Sequence, residues 1–134
     1  SQLETDIKMQ SSLIVVVATD APLLPHQLKR LARRVSLAVG VTGDFGLNGS
    51  GDIFIAFSTA NAEAAQGRSD AIIHSIPNDS MNELFAATVH ASEEAIINAL
   101  IAGRDMTGDL GHVAKAIDHQ KLQAVLRQHN RLVE

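Results

Sequence analysis

Cysteine, tryptophan and tyrosine are absent from the chain, and four phenylalanines make up its aromatic content. Without thiols there is no disulfide framework, no cysteine-ligated zinc and no thiol nucleophile. A core lacking large aromatics has to be filled by Val, Ile, Leu and Ala, and stacking platforms for single-stranded nucleic acid are missing. Proline occurs three times in 134 residues and charged residues make up 19%, a globular rather than a disordered composition. The formal net charge of -4 argues against a nucleic-acid partner. No continuous apolar run approaches the length of a membrane span, and the first ten residues lack the apolar centre of a signal peptide. Neither a nucleic acid nor a membrane is expected as a partner. A cytoplasmic address is weakly favoured.

What is present is aliphatic and ordered in blocks. Leu13 to Ala18 is a continuous, mostly β-branched run, the pattern of a strand over Ser12 to Thr19 buried on both faces. It stops at Thr19-Asp20-Ala21-Pro22, where a turn is favoured. From Pro25, Leu28, Leu31, Ala32, Val35 and Val39 recur at helical spacing and predict one helix closed by Gly40. Five of the nine glycines then fall between Gly40 and Gly51, a loop. Asp52 to Ser58 reads as a second strand and Ala71 to Ile76 as a shorter third. Ser80 and Glu83 stand in capping-box register before a long helix that Gly103 closes. A glycine-marked turn over Asp105 to Gly111 and a last helix from Asp118 to His129 complete the chain. The order is that of an α/β or α+β fold, with too few strands to close a barrel.

Several features that carry chemistry elsewhere do not carry it here. The glycine-rich segment runs into a strand, whereas phosphate-binding loops run from a strand into a helix, and Gly49-Ser50-Gly51 is not followed by Lys-Ser/Thr. No cofactor is expected. The six histidines show no metal-ligand spacing, and no metal is expected. Lys29, Arg30, Arg33 and Arg34 read as the solvated face of an amphipathic helix rather than as a phosphate patch.

The informative constellation is Ser12, opening one buried strand, with Asn48-Gly49-Ser50-Gly51-Asp52, opening another. In neighbouring parallel strands these starts lie at one end of a sheet, bringing together two hydroxyls and a carboxylate. Acyl transfer needs such a group: a nucleophile, an orienting acid or base, and oxyanion donors.

The segment from Ser12 through Arg34 (SLIVVVATDAPLLPHQLKRLARR) and the segment from Asn48 to Asn61 (NGSGDIFIAFSTAN) together resemble the β chain of the L-aminopeptidase D-Ala-esterase/amidase family, which includes the β-peptidyl aminopeptidases. Glu93 to Leu100 and Met106-Thr107-Gly108 extend the likeness. The resemblance implies a precursor that cuts itself before a serine, and a four-layer αββα sandwich like that of N-terminal nucleophile hydrolases, completed by a separate α chain. It places the nucleophile on Ser12, whose freed amine is the general base, and the second serine and the acidic residue on Ser50 and Asp52. Ser50 would orient the Ser12 amine or hydroxyl, and Asp52 would hold a cation, either that amine or the substrate's ammonium.

The implied function is hydrolysis of an N-terminal residue from peptides, amides or esters through an acyl-enzyme. The implied partners are the α chain and further αβ units, commonly four together. The alternative is a noncatalytic binding or assembly subunit with the same fold. Residues 1–11 are expected to be an extension or residual linker from the precursor, and residues 12–134 the β chain. Any signal peptide would lie on the α chain, which leaves a periplasmic address open.

Overall fold

The computed structural model describes residues 12–67 and 70–132; the extension expected over residues 1–11 lies outside them. In order come β1 (Ile14–Thr19), α1 (Pro25–Ala32), α2 (Val35–Val41), β2 (Ile53–Ser58), α3 (Asn82–Ala102), the short strands β3 (Met106–Thr107) and β4 (Val113–Ala114), and α4 (His119–Gln128). The chain divides into two compact units within α3, the first ending at Glu93 and the second beginning at Glu94.

In the first unit β1 and β2 pair in parallel, with Ile14 opposite Ile53 and Thr19 opposite Ser58. Alternation gives the pair two unlike faces. Val15 and Val17 with Phe54 and Ala56 are half-buried, and Leu28 of α1 and Ala56 of β2 pack against the core of Leu23, Leu31 and Met81. The other face carries Ile14, Val16, Ile53, Ile55 and Phe57, all exposed. The expectation of strands buried on both faces is therefore met on one face only by this chain. The second face is as apolar as the first.

The single helix predicted from Pro25 is two. The Arg34 N–H bonds the Leu31 carbonyl at 2.8 Å, a tight i to i−3 turn that no Pro or Gly announces. Gly40 lies inside α2 and does not close it. The end comes at Thr42, whose Oγ1 donates to the Val39 carbonyl at 2.8 Å, and the left-handed residue beyond it is Gly43 at φ 101°. Arg30 and Arg34 are not simply solvated, since their guanidinium groups lie 5.0 and 3.9 Å from the centre of the Phe85 ring, a cation–π arrangement.

Among the described residues Ala71 to Ile76 forms no strand. Its backbone is held by a side chain and a loop instead: Asn61 both accepts from the His74 N–H and donates to the His74 carbonyl, each at 3.0 Å. The Ile76 N–H reaches the Pro22 carbonyl at 3.0 Å. The Ser80–Glu83 capping box is likewise absent. A 3₁₀ turn over Asn78–Met81 precedes α3, without a side-chain cap bond, and drives Met81 to full burial. Gln27, 2% exposed, ties this turn to α1. It donates to the Ile76 carbonyl at 2.9 Å and to Asn78 Oδ1 at 3.2 Å, and it accepts from the Leu24 N–H at 2.9 Å.

Residues 78 to 102 are long and apolar enough to pass for a membrane span by length and composition, which a scan for unbroken apolar runs misses. Glu93 and Glu94 stand side by side within that stretch, and ionised carboxylates at bilayer depth cost a few kcal/mol each. In the second unit the glycine-marked turn is an antiparallel hairpin, with Met106 opposite Ala114. Asp105 takes the Ala116 N–H at 2.9 Å and pairs with Lys115. Asp118 caps α4 by accepting the N–H groups of Gln120 and Lys121.

Candidate active site

The site is built by the register of the parallel pair. Ile14 opposite Ile53 sets the residues before each strand side by side. The Ile53 N–H bonds the Leu13 carbonyl at 2.9 Å, extending the ladder past the start of β1. The next groups outward are Ser12 on one strand and Gly51 and Asp52 on the other. All six residues of each strand pair in parallel register, the pairing that near-continuous aliphatic runs favour.

Four short contacts follow from this placement. Asp52 Oδ1 accepts the Leu13 N–H at 2.9 Å and the Ser50 hydroxyl at 2.8 Å. The Gly51 N–H donates to Ser12 Oγ at 3.1 Å. The Ser50 N–H closes the preceding turn on the Leu47 carbonyl at 2.7 Å. Ser12 is exposed, whereas Leu13, Ser50 and Asp52 are half-buried, so the hydroxyl of Ser12 is the accessible member of the group.

Ser12, Ser50 and Asp52 thus stand within one hydrogen-bonded cluster, joined through main-chain groups. The Ser50 hydroxyl donates to Asp52 rather than to Ser12, and the contact on the Ser12 oxygen comes from Gly51. Nothing in the sequence distinguishes that glycine from its neighbours as a contact of the hydroxyl. The density of glycines marked a loop without singling out the one whose N–H meets the hydroxyl. The register alone, counted back from the two aliphatic runs, puts Gly51 there.

A cavity of about 230 Å3 lies beside the cluster, with Asp52, Asp44, Phe45, Ser36 and Phe54 among its lining residues. A larger hollow of about 450 Å3 lies at the opposite end of β2, near Asn61 and His74. The parallel pairing separates it from the hydroxyl and carboxylate groups by the length of the strand, whereas the smaller cavity shares Asp52 with the cluster. Among the described residues no group of three His, Asp or Glu side chains converges as metal ligands would.

Comparison with known proteins gives the chain a family and a fold. Residues 1–114 match the profile of peptidase family S58. The chain is 49% identical over 122 residues to the β-peptidyl aminopeptidase BapA of Sphingosinicella microcystinivorans, an alignment covering 90% of this chain and 31% of that protein. Among solved structures, the L-aminopeptidase D-Ala-esterase/amidase of Ochrobactrum anthropi, described as a prototype of the serine aminopeptidases and a variant of the Ntn hydrolase fold, superposes with a TM-score of 0.77 at 48% identity. That superposition covers 90% of this chain and 34% of the other. The β-aminopeptidase of a Burkholderia species superposes with a TM-score of 0.72 at 40% identity, covering 86% and 34%. The chain therefore has the α/β architecture of the Ntn hydrolase aminopeptidases and spans about a third of the length of these relatives.

Proposed function

Since the chain belongs to peptidase family S58, we propose that it is the nucleophile-bearing β chain of a self-cleaving serine aminopeptidase or amidase. Its substrates are peptides, amino-acid amides or esters, from which it removes the N-terminal residue. The observation that carries the reading is the exposed Ser12 hydroxyl at a strand end, hydrogen-bonded to the Ser50-Gly51-Asp52 segment. The names and lengths of the relatives support it.

The chemistry runs in two stages. In self-cleavage Ser12 Oγ attacks the carbonyl carbon of the preceding residue, the C–N bond breaks, and the nitrogen takes a proton to become the α-amine of Ser12. Water then hydrolyses the ester and frees the hydroxyl. Until that bond is cut the Ser12 nitrogen is an amide and cannot act as a base. In turnover the amine accepts the Oγ proton as Oγ bonds to the substrate carbonyl, and the proton passes to the departing amine or alcohol. Water cleaves the acyl-enzyme by the reverse route. Asp52 keeps the Ser50 hydroxyl turned and anchors the peptide after Ser12, while the remaining oxyanion and substrate groups come from a companion α chain.

That companion also accounts for the open aliphatic face of the β1–β2 pair. It is the inner face of a four-layer αββα sandwich whose second sheet comes largely from the other two-thirds of the protein, and αβ units assemble further, four together. The test is the intact mass of the complete protein together with Ser12→Ala. A species beginning at Ser12, and loss of both self-cleavage and amino-acid amide turnover in the variant, are expected. Turnover persisting in Ser12→Ala removes the serine from the mechanism and favours a noncatalytic role for this chain.

A further inference from the structure

We propose that the main-chain N–H of Gly51 is the positioning donor of the nucleophile, holding Ser12 Oγ in one orientation and staying against that oxygen through both halves of the acyl transfer. The assignment rests on the reading of Ser12 as nucleophile given above. It adds a group to the site that is neither a side chain nor ionisable.

Four observations carry it. The Gly51 N–H lies 3.1 Å from Ser12 Oγ. It is the next donor outward from the Ile53 N–H, which bonds the Leu13 carbonyl at 2.9 Å, so its direction is set by the ladder and not by a mobile side chain. A Cβ built on Gly51 would stand 3.4 Å from the same oxygen, which shows how closely the main chain approaches the hydroxyl. The neighbours on either side are committed elsewhere: the Ser50 hydroxyl and the Leu13 N–H both converge on Asp52 Oδ1.

The chemical consequence follows from where charge develops. In acylation the Oγ proton goes to the Ser12 amine while the Oγ–carbon bond forms, and electron density grows on an oxygen already facing an N–H. In deacylation the oxygen of water bonds to the acyl carbon, the carbon–Oγ bond breaks, and the leaving oxygen recovers a proton from the amine. The same N–H faces it as it leaves. A fixed donor favours the charged form of the group it faces and needs no reorganisation at the moment of reaction. With one lone pair of Oγ occupied, the hydroxyl proton is left to point toward the amine.

The decisive variant replaces Gly51 by glycolic acid in the complete, self-processed protein, turning the main-chain N–H into an ester oxygen while keeping the shape of the chain. Gly51→Pro removes the same donor by an encoded change. Amino-acid amide turnover should fall about tenfold or more in kcat for the glycolate and Pro variants, as the loss of one hydrogen bond to the reacting oxygen implies. KM should stay within about twofold, and self-cleavage should slow in parallel. If Gly51→Pro does not fold, the glycolate variant decides. An unchanged kcat in the glycolate variant, or a loss confined to KM, overturns the assignment. Ser12→Ala run alongside separates the two readings. If it is inactive while the glycolate variant is fully active, only the role of Gly51 fails; if Ser12→Ala itself turns over substrate, the nucleophile fails and Gly51 with it.

Discussion

The Asp52 carboxylate accepts the Leu13 N–H at 2.9 Å across 39 residues of chain, so the residue that opens β2 fixes the peptide immediately after Ser12. One oxygen of Asp52 serves both this bond and the Ser50 hydroxyl. On the proposed function a structural and a chemical duty meet on a single atom, and substitutions can separate them.

Asp52→Asn retains an oxygen that can accept the Leu13 N–H but withdraws the charge that strengthens both bonds. Denaturation midpoints close to the parent are expected, with kcat lowered about tenfold or more. Asp52→Ala leaves the half-buried Leu13 N–H without its acceptor, a loss of about 1–3 kcal/mol, and should lower stability and activity together. Urea denaturation and amide turnover on the two variants check this. Full kcat in Asp52→Asn would mean that the carboxylate is needed only as an anchor.

Gln27 offers a test away from the chemistry. It is 2% exposed and holds three partners, at Leu24 just before α1, on the segment before α3 and on the 3₁₀ turn. Gln27→Leu keeps the volume but leaves the Leu24 N–H and the Ile76 carbonyl unpaired. The expected destabilisation is about 2–4 kcal/mol, read as a shift in denaturant midpoint at unchanged m-value. A shift below about 0.5 kcal/mol would show that water replaces the amide without loss.

How far the sequence foretold these features depends on the range of the interactions that settle them. The aliphatic runs of β1 and β2 and the glycines and serine before Asp52 announced two strand starts, and only their parallel register was needed to join Ser12 to Ser50 and Asp52. The break between α1 and α2 was not legible because neither Arg33 nor Arg34 disfavours a helix. The Ala71–Ile76 segment has the residues of a strand but finds its partners in Asn61 and Pro22, contacts that periodicity does not encode. Ser80 and Glu83 had a cap's spacing, and the burial of Met81 in a 3₁₀ turn prevailed. Gly51 was hidden for another reason: its contribution is a main-chain N–H, which every residue but proline possesses.

Acid should loosen the β3–β4 hairpin only below the ordinary carboxylate range. The Lys115 hydrogen bond, followed by the Ala116 N–H, holds the Asp105 carboxyl below its usual value of 3.8. A carboxyl lowered in the folded state stabilises that state above its unfolded pKa, and the contribution is lost as pH falls through the folded value. Hydrogen exchange at the Ala116 amide, followed from pH 6 to pH 2, should therefore accelerate relative to its intrinsic rate at the acid end. Asp105→Asn should remove that acid step. An Asp105 carboxyl titrating at or above its ordinary value would contradict the pairing.

The open face of the β1–β2 pair gives the proposed companion chain a physical argument besides kinship. Ile14 and Val16 are 67% and 57% exposed, and Ile53, Ile55 and Phe57 are 52%, 50% and 44% exposed. All lie on one side of two strands in fixed register. Side chains of this size contribute about 1.5–3 kcal/mol each when taken fully out of water, so a second layer laid over this face gains several kcal/mol, whereas a charge placed there would have to be buried unpaired. Ile55→Asp is the sharpest probe, because its main-chain bonds to β1 are retained and its side chain points away from the Leu23–Leu31–Met81 core. The variant should fail to co-elute with the companion chain on size exclusion when the two are produced together, and the parent and a solvent-exposed control such as Gln123→Glu should co-elute. Stable co-elution of Ile55→Asp would show that the face is not the one the companion covers, and would move the junction of the two chains to the helical side.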